Sequence, residues 1–176
     1  PKPKQAMAAE SANHVIQFLY LIPNGVQSMS MDIEGLVESS LNLGVIRTNE
    51  GGVEIISSIR SSVGSIKANI FHTIVSIAKL TNGNVVEESS YPEWSYNPDS
   101  KIRVLFTELY EKMFGQKPLI NAIHAGLECA VFDEMFGGQM DMISIGPTMV
   151  GVHTAEEHLS IPSTQRTWAF LKEALK

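Results

Sequence analysis

Two histidines in this chain stand among glycines and carboxylates: His124 in Ile-His-Ala-Gly-Leu-Glu-Cys at 123–129, and His153 in Gly-Val-His-Thr-Ala-Glu-Glu at 151–157. Imidazole is the commonest protein ligand for zinc and the side chain that titrates nearest neutral pH. Each segment follows an apolar run that reads as a buried strand, at 118–123 and 140–145. Polar sites in α/β folds are built where strands give way to loops. Gly151 lets the backbone turn sharply and bring the His153 ring to such an end. The plainer reading of His153 is a loop histidine bonded to a neighbouring carbonyl. His124 and Glu128 lie four apart, a helical spacing that suits a metal pair, but Gly126 interrupts that helix. A place for the turn Gly126-Leu127-Glu128 on the wall of a cleft fits better, and Glu128 suits the start of a helix equally well.

Cys129 with either histidine would permit a thiol nucleophile. It falls on the apolar side of a short helix with Leu127, Val131 and Phe132, which favours a buried filler. His14, His72 and His158 have no partner pattern and read as surface or cap residues.

The elements that must position these residues follow from periodicity. Helical spacing at 5–20 ends at Pro23-Asn24-Gly25, and a weakly alternating strand covers 25–31. The stretch 36–46 has period two, with Val37, Ser39, Leu41, Leu43 and Val45 on one face. Glu50-Gly51-Gly52 is a turn, and 53–59 is the return strand of a hairpin. An amphipathic helix over 65–80 turns Ile66, Ile70, Ile74, Ile77 and Ala78 inward, and 85–88 reads as a further strand. The stretch 91–100, with two prolines and three aromatic residues, reads as a linker, with Trp94 and Tyr96 packing it against a domain. Beyond it, a helix over 101–114 is capped by Asp99-Ser100 and stopped by Gly115. A short helix at 127–132 and a last helix at 162–175, with Trp168, Leu171 and Leu175 facing inward, alternate with the two strands. The first half is thus a small antiparallel α+β layer, and the second resembles the closing units of a larger parallel α/β sheet. Two parallel strands cannot cover three helices, so the missing strands are expected from chain preceding Pro1 or from a partner.

Composition bounds the rest. The chain has 176 residues, 44% hydrophobic and 18% charged, which is globular rather than disordered. No apolar run approaches about 18 residues, so no membrane-spanning helix is expected. The start Pro-Lys-Pro-Lys leads into a polar stretch, unlike a signal peptide, and its lack of Met suggests a processed or excised piece. A single cysteine leaves no internal disulfide and fits a reducing, cytoplasmic setting. Net charge of -6, with no basic cluster beyond the first four residues, argues against nucleic-acid binding.

Six segments in order resemble the C-terminal part of aminoacyl-histidine (Xaa-His) dipeptidases, within a superfamily of two-zinc exopeptidases. They are Leu-Val-Glu-Ser-Ser-Leu-Asn-Leu-Gly-Val-Ile at 36–46, Ser-Ser-Ile-Arg-Ser-Ser at 57–62, Tyr-Pro-Glu-Trp at 91–94, and 123–129, 141–147 and 151–163. The resemblance implies that 1–92 is part of a lid that dimerises through an edge strand. It makes 93–98 a linker and 99–176 the closing part of a catalytic domain. It further implies hydrolysis of carnosine-like dipeptides by water activated between two zinc ions. In that picture His153 is the last metal ligand, while the other ligands and the glutamate base lie outside this chain. No catalytic residue proper falls within it, and the isolated chain is expected to be inactive, with its zinc site empty. Arg60 corresponds to a clamp on the substrate carboxylate, Asn42 points to the substrate, and Glu128 and His124 border the cleft. A solvated Arg60 and an Asn42 merely on its strand's wet face are the plainer readings. The competing functional class is a non-catalytic dimerisation or docking module.

Overall fold

A computed structural model describes residues 6–122 and 127–176. The chain divides into two compact units: Pro1–Tyr96 with Ala122–Val131, and Asn97–Asn121 with Phe132–Lys176.

The first unit begins with α1 (Ala9–Leu21), followed by β1 (Gly25–Met29), β2 (Val37–Asn49), β3 (Gly52–Ser61) and α2 (Gly64–Leu80). The strands form one antiparallel sheet in the order β1-β2-β3, and Asn49 faces Gly52 across the hairpin turn. Four apolar residues spaced for one helical face, Ile70, Ile74, Ile77 and Ala78, are the buried residues of α2. Ile70 and Ile74 close a core with Leu41 of β2 and Ile22 just after α1, and Phe18, Leu43, Ile59, Ile66 and Val85 pack around it. On the same inner face the Ser39 and Ser61 hydroxyls share a buried hydrogen bond of 2.7 Å, which satisfies both.

Two expectations fail in this unit. Val45 does not continue the face of Leu43, because a bulge at Gly44 shifts the register. Leu43 pairs with Ser57, but Val45 pairs with Ile56 and Ile46 with Ile55. Residues directly opposite share a face, so Ile46 sides with Ile55 and Val45 with Ile56, while in burial Val45 stays half-buried and Ile46 is 49% exposed. No strand forms over 85–88. Val85 is instead drawn onto the core cluster, and so short a segment gains little from a ladder.

The second unit holds α3 (Lys101–Phe114), β4 (Met149–Val150), β5 (His158–Leu159) and α5 (Ile161–Ala174). The boundary between units falls within α4 (Glu128–Met135). Ser100 caps α3 by accepting from the Arg103 N–H at 3.1 Å, and Gly115 ends it in the left-handed region at φ 71°. Ser160 caps α5, and Ser163 accepts from the Thr148 N–H at 2.8 Å. Phe170 packs edge-on to Phe106 and Tyr110, with centroids 5.4 and 5.6 Å away.

Here too the outcome differs from the pattern. Phe170 is the buried apolar residue of α5, while Trp168 is 60% and Leu175 79% exposed, because α3 lies on the Phe170 side. The segments 118–122 and 140–145 form no strand. A strand exists only where a neighbour completes its ladder, and among the described residues none does.

Candidate functional site

His153 lies in the turn joining β4 to β5. The turn closes with the Thr154 N–H and hydroxyl on the Gly151 carbonyl, at 3.0 and 2.6 Å, and the Glu157 N–H on the Thr154 carbonyl at 3.2 Å. Gly151 has φ 65°, and a Cβ there would lie 3.0 Å from the Glu156 carbonyl oxygen, so the position favours glycine for both reasons. His153 also adopts φ 65°, in the left-handed region where a side chain costs about 1–2 kcal/mol. Its backbone N–H donates to Glu157 Oε2 at 2.7 Å, which helps to hold that conformation. The residue is exposed. The histidine whose ring bonds a neighbouring carbonyl is instead His158, with Nδ1 2.7 Å from the Glu156 oxygen.

Arg60 and Asn42 come together on the outer face of the first unit's sheet. Arg60 stands opposite Ser40 and Asn42 opposite Ser58, so the two residues are diagonal neighbours. Asn42 Oδ1 accepts from the Ser58 N–H at 3.1 Å. The amide is thereby oriented, with its Nδ2 left as a donor. Glu128 is exposed in the first turn of α4, where a carboxylate is favoured by the helix dipole. His124 lies outside the described residues.

Cys129 is half-buried, and burial pushes its thiol above the usual range, opposed by a backbone hydrogen bond and reinforced by the charge of Glu128. A thiol so placed is held away from the thiolate that nucleophilic chemistry requires. Asp141 had no part in the reading by pattern. Its Oδ2 accepts from the Ile102 N–H at 2.9 Å, across 39 residues, so no local spacing could signal it. Hydrogen bonds from the Ser100 hydroxyl and the Ile102 N–H hold its carboxyl below the usual carboxylate range.

Among the described residues, no group of three or more His, Cys, Asp or Glu side chains gathers to hold a metal ion. Zinc takes about four ligands. The described residues therefore do not complete such a site among themselves.

A small antiparallel sheet with a helix packed on it, followed by a helical unit, is a fold shared with exopeptidases, and the dipeptidases among them are the chain's relatives in sequence. The chain is 38% identical over 173 residues to a cytosol non-specific dipeptidase of Escherichia coli, covering 98% of this chain and 36% of that protein. The crystal structure of aminoacylhistidine dipeptidase from Vibrio alginolyticus superposes with a TM-score of 0.88 at 38% identity, over 99% of this chain and 35% of that one. An aminopeptidase of Bacillus cereus shares the fold, with a TM-score of 0.67 at 18% identity over 94% of this chain and 45% of that chain. No family model matches the chain. The chain thus spans about a third of the length of the dipeptidases it matches, and corresponds to their C-terminal part.

Proposed function

We propose that this chain is the C-terminal part of a cytosolic, zinc-dependent dipeptidase that hydrolyses Xaa-His and related dipeptides. Its similarity along nearly its whole length to two dipeptidases supports that reading. The observation that carries the local assignment is the turn of His153. A non-glycine residue is kept at φ 65° between Gly151 and the Glu157 carboxylate, and strain of this kind gathers at functional positions. In this reading His153 donates one ligand, and the other ligands and a glutamate base come from polypeptide outside these 176 residues. When bound, two divalent ions acidify a water and polarise the scissile carbonyl.

The chain's own residues then have distinct tasks. Arg60 donates two parallel hydrogen bonds to the terminal carboxylate of the dipeptide, and Asn42, fixed by Ser58, adds a donor beside it. Glu128 and His124 border the cleft. Residues 1–92 serve as part of a lid through which a homodimer forms, 93–98 as the connection, and 99–176 as the closing part of the catalytic domain.

His153→Ala in the full-length protein should lower turnover by at least about 100-fold, the upper range for loss of a ligand's support, and reduce bound zinc measured by elemental analysis. Full zinc occupancy with unchanged turnover would remove His153 from the centre. The 176-residue chain alone, given zinc, should not hydrolyse a dipeptide, and turnover there would overturn the assignment of missing ligands. A second reading, a docking or dimerisation module without catalysis, is favoured by apolar residues left open such as Leu119, 89% exposed. An intact protein that binds dipeptides without cleaving them would decide for it.

A further inference from the structure

The Tyr-Pro-Glu-Trp run at 91–94 is a motif that the proposed chemistry does not use. It forms neither helix nor strand, yet it is anchored at several points. Lys67, in the first turns of α2, donates to the Tyr91 carbonyl and lies 5.3 Å from the centre of the Tyr91 ring. The same ammonium is 3.4 Å from Glu93 Oε2. Glu93 Oε1 faces Gly64, the first residue of α2, so closely that a Cβ there would overlap it. The carboxylate therefore rests on the start of a helix, where N–H groups lack intrahelical partners and the dipole favours an anion. Val63, the cap residue of α2, offers no side-chain acceptor of its own. Ser95 adds a hydroxyl donated to the Ser62 carbonyl at 2.7 Å. Further along, the Arg103 guanidinium donates to the Asn97 and Pro98 carbonyls. Along the chain, only Tyr96 separates the two sets of anchors.

We propose that residues 91–95 are an electrostatically latched strap, with Glu93 as the latch, Gly64 as its seat and Lys67 as its clasp. The side chains of Lys67 and Glu93 are 21% and 37% exposed, so the pair is partly shielded yet still within reach of dissolved ions. With the latch shut, the strap is part of the sheet-and-helix unit. With it open, the stretch between Val85, which packs on the core, and Ser95 loses its anchors at Tyr91 and Glu93. The device makes the length of this connection depend on ionic strength.

The test is limited chymotrypsin cleavage of the full-length protein after Trp94 and Tyr96, since Pro92 protects the bond after Tyr91. Glu93→Gln, Lys67→Met and Gly64→Ala should each speed cleavage there about tenfold. In the double variant Lys67→Met/Glu93→Gln the effects should not add, since both substitutions break one contact. Raising salt to about 1 M should speed cleavage of the wild type but not of Glu93→Gln, since salt screens the pair. Equal rates in wild type and Glu93→Gln, or a salt effect undiminished in that variant, would overturn the latch. Hydrogen exchange of the wild type guards against unfolded variants. Amides at 91 and 93–96 should exchange faster in high salt while Ile70, Ile74 and Ile77 do not, and a strap indifferent to salt would also end the proposal.

Discussion

In the first unit, Ile22, Leu41, Ile70 and Ile74 are buried in one cluster of sheet and helices and Ile77 and Ala78 are buried as well, whereas among the described residues of the second unit Phe170 is the buried apolar side chain. The second unit is nearly as rich in apolar residues. Leu119, Met135, Ile161 and Leu175 belong to it, and each is at least 70% exposed. The contrast lies in what each segment packs against. A helix laid on a three-stranded sheet removes one face of both from water, while two helices meeting at one aromatic cluster leave most of their surface open. The first unit is therefore held by its own contacts, and the second is prepared for a surface that these residues do not supply.

The largest expected effect tests the self-contained side of this contrast. Leu41→Ala, at 1% exposure, should lower the stability of the first unit by about 2–5 kcal/mol in urea unfolding. A loss below about 1 kcal/mol would show that the core is not centred there. The next tests the open side. In the full-length protein Leu119→Ser should cost more than about 1 kcal/mol, as at a buried site, while Met31→Ser, at 96% exposure, should stay within about 0.5 kcal/mol. Equal costs would erase the distinction between the units.

The smallest effect concerns how each unit starts its helices. The anion at the start of α2 comes from Glu93, and α3 takes one of its acceptors from Asp141. The Asp141 carboxyl is held below its ordinary value of about 3.9. A lowered value in the folded state means that its contribution is present above that ordinary value and is lost as pH falls through the depressed one. Asp141→Asn should therefore lower the melting temperature slightly at neutral pH, and the difference should vanish in strong acid. A gap that persists undiminished below about pH 2 would deny the carboxylate this role.

Local signals were legible wherever the contacts they depend on are also local. The period of α2, the Asn49-to-Gly52 hairpin and the Ser100 and Gly115 ends of α3 stand where the residues place them. The inner side of α5 was misjudged because α3, not the helix's own periodicity, selects Phe170. The runs 118–122 and 140–145 have strand composition but lack a neighbour to pair with among the described residues. At the candidate site, the glycine beside His153 announced a sharp turn, while the left-handed backbone of His153 itself and its hold on Glu157 became visible only in three dimensions. Arg60 and Asn42 were read separately, and it is the β2–β3 register that makes them neighbours.

The extra residue at Gly44 carries a consequence for how this ribbon can change over generations. Short of it, the side bearing Arg60 and Asn42 is polar; past it, the same side carries Val45 and Ile56. Deleting that one codon would leave Val45 opposite Ile56 and Ile46 opposite Ile55, so the ribbon would lose its irregularity without exchanging its faces. The ribbon can thus gain or shed a local kink in one in-frame step while the Arg60 and Asn42 pair, on the near side of it, keeps its register.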